Sequence, residues 1–216
     1  MTTSSIDAIA GIHVPDTALA REVTDFIRDT EDELLFNHSR RVFFFGALQG
    51  LRRGIHPNLE LLYAAAMFHD VGLTDHYRNS TVRFEVDGAN AARDFLMDAG
   101  ADKADADIVW LGIALHTTPG VPEFLAPEVA LLQAGVEVDV VGVGREQLAP
   151  EALAAVTAAH PRPDFKNRIL AAFNDGMKHR PHSTAGTMNA DVLAHFDPKF
   201  ERVDFVDKIL HNSWPE

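Results

Sequence analysis

The apolar run Leu61-Leu62-Tyr63-Ala64-Ala65-Ala66-Met67-Phe68 ends in His69-Asp70, and Val71-Gly72 follow at once. A run apolar on every side belongs inside a protein as a buried helix, and an unpartnered imidazole or carboxylate at its end costs free energy there. A glycine able to stop the helix lets both side chains turn toward one ion. The pair therefore reads as half of a metal site. Two partners offer themselves: His38 in NHSRRVFFFG and Asp139 in GVEVDVVG, the latter set between valines where a carboxylate needs a cation. Each sits on a separate predicted helix, so the fold assembles the site. A lone His-Asp pair is more often a surface accident or a helix end; the apolar setting of these residues is what weighs against that here.

Imidazole with carboxylate suits one divalent transition metal ion, Zn or Fe first and Mn, Co or Ni after them, better than Ca or Mg. The chain has no cysteine, which removes thiolate ligands, disulfides and cysteine nucleophiles together.

Helical periodicity and stop signals recur along the chain. Asp16 is expected to cap a first helix reaching about Arg28. A long helix runs from near Glu31 to Arg53 and stops at Gly54, and a third starts after Pro57-Asn58. Further helices are predicted over Asp87–Met97, Asp102–His116, Pro127–Val141, Pro150–His160 and Asp164–Lys178. No period-two runs with turn dipeptides predict a sheet. The expected fold class is all-α, and 216 residues suit one body with terminal extensions. The expected divisions are an N-terminal helical extension over 1–30, the metal-binding domain over 31–175, and a C-terminal extension over 176–216 packed on it. In that extension Phe196, Phe200, Phe205 and Trp214 are expected to pack the last helix on the body, and His179, His182 and His195 read as solvated surface residues.

The formal charge of -13 disfavours a nucleic-acid partner, although ordinary solubility explains it as well. No apolar run approaches the ~20 residues that span a bilayer, and the N-terminus lacks a signal-peptide pattern. A cytoplasmic protein acting on a small molecule, without membrane or nucleic acid and with scope for a homo-oligomer, is the expectation.

Histidine, then His-Asp, then a distant aspartate, all on helices, resembles the HD-domain superfamily of metal-dependent hydrolases over about His38 to Asp139. The resemblance implies a helical bundle with a metal site in its core, held by His38, His69, Asp70 and Asp139. The blocks HSRRVF, AAAMFHDVGLT, RFEVDGANAARDFL and GVEVDVVG, with the aromatic C-terminus ending near NSWPE, are most similar to the cyanamide hydratase-like group. That similarity implies hydration of a nitrile-like carbon by a metal-activated water. The alternative is hydrolysis of a phosphomonoester or nucleotide, with Arg40 and Arg41 compensating phosphate. A signalling module that binds metal or ligand without turnover is the third reading, disfavoured by the intact ligand set.

Around the expected ligands, His116 reads as a proton shuttle or substrate-bonding group, or else a helix cap. Arg41, three residues from His38 and on the same face, either meets substrate phosphate or pairs with Glu85 or Asp70. Glu85 joins the catalytic candidates, and Asp75 and His76, just after the His-Asp turn, are weaker ones. Dinuclear relatives commonly carry a histidine four residues before the Gly88-Ala89 pair, where this chain has Phe84; one ion is expected unless Glu85 or His76 supplies a further ligand.

Overall fold

The computed structural model describes residues 8–214 and builds them from ten α-helices joined by short 3-10 turns. In order these are α1 (Ala18–Thr30), α2 (Glu33–Arg53), α3 (Leu59–Phe68), α4 (Phe84–Asp98), α5 (Lys103–Leu115), α6 (Pro127–Val136), α7 (Pro150–Ala159), α8 (Phe165–Met177), α9 (Asn189–Phe196) and α10 (Phe205–Leu210). The protein is all-α apart from a two-residue antiparallel pairing of β1 (Ala8–Ile9) with β2 (Ile12–His13), which the sequence had not announced. No helix among the described residues is long and apolar enough to cross a membrane.

Local chemistry sets the boundaries. Asp32 caps α2 by accepting from the Leu35 amide, and Gly54 ends it with φ +66°, a conformation that costs a glycine little. Asn58 caps α3 in the same manner. The cap of α1 is Thr17, whose hydroxyl accepts from Ala20 N; Asp16, expected in that role, pairs instead with Arg21. Helix α4 starts at Phe84, three residues ahead of its predicted start, because Arg83 already has extended backbone and the turn begins after it. The segment expected to be one helix to Val141 changes character: α6 ends at Val136 and a π-turn carries Glu137–Val141 to Gly142.

Helix α3 is buried from Leu61 to Phe68 and touches α1, α2, α4, α5 and α6. Each of its large side chains contributes about 1.5–3 kcal/mol on full burial, so this helix is the anchor of the main core. Helix α2 crosses α6 closely: a Cβ on Gly46 would strike the Leu131 carbonyl, and one on Gly135 the Val42 carbonyl. That approach brings the His38 end of α2 toward the π-turn after α6. A second apolar cluster of Leu34, Leu35, Leu73, Phe84, Phe165, Ile169, Met177 and Leu193 lies where α8 and α9 close over the start of α2.

The expectation that the terminal aromatics fold back on the body is corrected at α10. Phe205 and Trp214 are 74% and 84% exposed, Phe196 is exposed as well, and only Phe200 packs against the second apolar cluster. After Asp197 the chain runs through a turn and without regular structure to Asp204, and every residue of α10 is exposed. Residues 1–7 of the expected N-terminal extension, and the last two residues of the NSWPE motif, lie outside the described residues.

Candidate metal centre

Three side chains meet at the seam between the two apolar clusters. His38 comes from α2, and His69 and Asp70 from the end of α3; their ligand atoms all lie within 4.8 Å of one another and all three residues are buried. His116, the C-cap of α5, is the fourth member, with Nε2 3.7 Å from Asp70 Oδ1.

The outer nitrogen of each ring fixes what the inner one presents. His38 Nδ1 lies 2.7 Å from Asp139 Oδ2, His69 Nδ1 2.8 Å from the Ala66 carbonyl, and His116 Nδ1 2.7 Å from the Ile113 carbonyl. All three outer partners are acceptors, so each Nδ1 carries the proton and each Nε2 turns a lone pair inward. His38 Nε2 and His69 Nε2 stand 3.2 Å apart. Two lone pairs at that separation repel unless a cation or a proton lies between them. Asp70 Oδ2 lies 3.3 Å from His69 Nε2 and 3.5 Å from His38 Nε2, yet neither oxygen of this buried carboxylate has a hydrogen-bond partner. Inward lone pairs and an orphaned carboxylate are what a transition metal requires.

The titration of the cluster agrees. Burial would lift the Asp70 carboxyl, but His69, and then His38 and His116, hold it well below the usual carboxylate range. Burial opposes charge on His69 too, and the Asp70 carboxylate overcomes it and raises the imidazole. Burial, followed by repulsion from His69, brings His116 down to about 4, so it is neutral at pH 7. Burial also lowers His38, against the pull of Asp139.

Asp139, expected as the fourth ligand, stands one step back. Its Oδ1 accepts from Arg41 Nε at 2.8 Å and Arg162 Nε at 2.9 Å, and its Oδ2 from Arg41 at 2.9 Å as well as from His38. Both oxygens are engaged in these contacts, and through Oδ2 the carboxylate orients His38. Arg41 meets neither alternative raised for it: it is fully buried, bidentate on Asp139, bonded to the His160 and Pro161 carbonyls, and stacked 4.7 Å over the Phe165 ring.

Glu85 is buried beside His116, but its Oε1 accepts from Arg83, from Asn189 at 2.9 Å and from the Thr117 hydroxyl. Its Oε2 accepts from Arg83 Nε at 3.2 Å, and the carboxylate braces the turn that carries His116. Asp75 and His76 are exposed and line a separate surface cavity with Phe26, Asp29, Thr30, Val71, Thr74 and Tyr77, and Asp75 pairs with Arg78. The structure does not bring them to the cluster. His179, His182 and His195 are exposed. Phe84 is buried with its ring 5.6 Å from that of His116, so a phenyl group and not a ligand faces that side of the cluster.

Several residues of this neighbourhood gave no sequence signal. Arg162 hides between Pro161 and Pro163, a stretch that reads only as a helix separator. Arg180 is buried and ties the Gly72 carbonyl, just beyond the His-Asp pair, to Val82, Gly176 and Asp87. Glu31, which reads as the start of α2, is buried with Oε2 on the Ser39 hydroxyl at 3.2 Å and Oε1 unpartnered. Burial, and then the nearby Asp70 charge, raise its carboxyl well above the ordinary range.

The family model for the HD domain matches residues 35–164. The chain belongs to the HD-domain family. Its members are generally metal-dependent hydrolases, and the buried His38, His69 and Asp70 group fits that chemistry. A comparison with curated proteins gave no match. The matched segment of this HD protein ends before α8, yet Phe165 of α8 packs 5.4 Å from the His38 ring, so the residues beyond the match complete the wall of the centre.

Proposed function

We propose that this HD protein adds water to a small, neutral, nitrile-like molecule, as the cyanamide hydratase-like group does, with one transition metal ion held by His38, His69 and Asp70. The observation that carries this reading is the commitment of the surrounding guanidinium groups. Arg41 and Arg162 are spent on Asp139, Arg83 on Glu85 and Arg180 on Asp87. Withdrawing Arg180 from Asp87 would leave a buried carboxylate without its cation, which costs several kcal/mol, and Arg41 is fully buried on Asp139. The facing walls are phenyl rings, Phe84 beside His116 and Phe165 beside His38, which favour an uncharged substrate.

A bound transition metal supplies a water acidified toward neutral pH and a Lewis acid for developing negative charge. His38 is aimed by Asp139, and His69 by the Ala66 carbonyl, so both present Nε2 without rearrangement. His116, neutral and with Nε2 bare, holds the attacking water by accepting its hydrogen bond and takes up its proton. As the water oxygen bonds to the nitrile carbon, one carbon–nitrogen π bond breaks and the nitrogen receives that proton, leaving an imidic acid that tautomerises to the amide. Donation from His116 to the nascent nitrogen follows only after it has taken the water proton, because Nδ1 is already committed to Ile113.

The test is a parallel screen of metal-reconstituted protein against cyanamide, small aliphatic nitriles and phosphomonoesters. Hydration of a neutral substrate with negligible phosphatase turnover is expected. Clear phosphatase activity with no hydration of any nitrile would sink the proposal in favour of phosphoester hydrolysis, and metal uptake without turnover on either class would point to a binding module.

A further inference from the structure

Asp139 and Arg162 border a cavity of about 400 Å³, formed where the π-turn after α6, the 3-10 turn Arg145–Gln147 and α7 come together. His38, His69, Asp70 and His116 are not part of its lining, so it is a separate recess that meets the metal centre through the Asp139–His38 bond. Its inner wall is apolar: Phe45, Val138 and Leu148 are buried, and Leu153 packs against the main core. Arg145 and Glu146, both exposed, stand at its mouth. Thr157, the remaining polar side chain of the lining, spends its hydroxyl proton on the Leu153 carbonyl at 2.8 Å. Apolar walls with a few polar groups, in a recess of this size, are the ordinary make-up of a small-molecule site.

Charge selects the occupant. Arg41 and Arg162 share the single carboxylate of Asp139, and Arg41 is fully buried while Arg162 keeps 31% of its side chain exposed. The excess positive charge of that trio therefore lies on the cavity side, with Arg162. Its Nε and Nη2 are turned to Asp139, and its Nη1 has no hydrogen-bond partner among the described residues. Arg145 has no ion pair or side-chain hydrogen bond among those residues either, and Glu146 offsets one of the two guanidinium charges. The recess is left short of one negative charge. The -13 of the whole chain does not supply it, because charges beyond about 10 Å are screened at 0.1 M salt and the groups within reach decide.

We infer that the recess binds a small monocarboxylate with an apolar chain, its head on Arg145 and Arg162 Nη1 and its body along Phe45, Val138 and Leu153, and that its occupant tightens the hold on the metal. Guanidinium N–H groups match a carboxylate in shape and charge. A phosphate dianion brings a second negative charge beside Glu146 and Asp139 with nothing to offset it. The bound carboxylate offsets Arg162, so Asp139 pulls harder on the His38 Nδ1 proton and makes that ring a stronger ligand. It also adds negative charge near a cation site. Both effects have the same sign, and by linkage the metal strengthens carboxylate binding by the same factor. The site is independent of which reaction the metal centre performs.

Isothermal titration calorimetry of the metal-loaded, full-length chain with hexanoate tests this, with 1-hexanol as the neutral analogue. Hexanoate is expected to bind with a Kd of about 1 mM or tighter, in keeping with a ligand of its size, and 1-hexanol at least about tenfold more weakly. Ala154→Trp fills the recess from an exposed position of α7, and Arg145→Ala removes half of the head-group site. Each is expected to weaken hexanoate at least about tenfold with metal content and circular dichroism unchanged. Chelator competition in saturating hexanoate should show the metal held about fivefold more tightly in wild type and unchanged in Arg145→Ala. No saturable binding up to about 50 mM overturns the proposal. Hexanoate binding that both variants leave intact places the carboxylate on the metal ion and equally rejects it, as do 1-hexanol binding as tight as hexanoate and a metal affinity indifferent to hexanoate.

Discussion

His38 Nδ1 donates a hydrogen bond to Asp139 across 2.7 Å, which turns its Nε2 to within 3.2 Å of His69 Nε2 and 3.5 Å of Asp70 Oδ2. A carboxylate behind an imidazole makes the ring a stronger ligand and locks its orientation. Asp139→Asn should therefore weaken metal binding about 10- to 100-fold, measured by competition with a coloured chelator. Unaltered affinity would reduce Asp139 to a partner of the two arginines.

Elemental analysis should find about one transition metal ion per chain, because the inward donors form a single group and Phe84 contributes none. Asp70→Ala should abolish binding while the circular dichroism of the body persists, since α3 is held by its apolar side chains. Two tightly bound ions in a loaded sample would contradict the place given to Phe84.

His116→Ala should keep the metal on His38, His69 and Asp70 and lower turnover by about 10²- to 10⁴-fold, the usual worth of a positioned proton-transfer group. Loss of the metal in this variant would instead make His116 an indispensable ligand. Comparing metal content with kcat on the same sample separates the two.

Glu31 yields a pH signature. Its folded-state carboxyl is raised well above the ordinary glutamate value, so the folded protein holds that proton more tightly than the unfolded chain. Stability is then unaffected well below pH 4.5 and falls as pH climbs from there toward the folded value. In metal-free protein, Glu31→Gln should be more stable than wild type at pH 7, with the advantage vanishing near pH 4. Urea unfolding at several pH values reads this directly, and a gap independent of pH would remove the effect of ionisation.

Most of the helices were legible because their boundaries are local: a capping Asp32 or Asn58, a stopping Gly54, a proline at the start of α6 or α7. His38, His69 and Asp70 were legible for a related reason, a polar group in an apolar setting that demands a partner. The division of labour between Asp139 and His116 was not, since it depends on which oxygens Arg41 and Arg162 reach across about a hundred and about twenty residues of chain. Arg162, Arg180 and Glu31 look like any charged residue until burial gives them a role. At α10 the same apolar spacing that betrays a core helix also describes an exposed one, and periodicity cannot say whose core it serves.

The π-turn over Glu137–Val141 accommodates one more residue per turn than the helix before it. Removing a single residue between Gly135 and Asp139 would turn Asp139 by about 100° about the helix axis and shift it by about 1.5 Å along it. Asp139 would then face away from His38 although every side chain named above was still present. The number of residues between Gly135 and Asp139 is thus a constraint in its own right, beside the identities of those two residues.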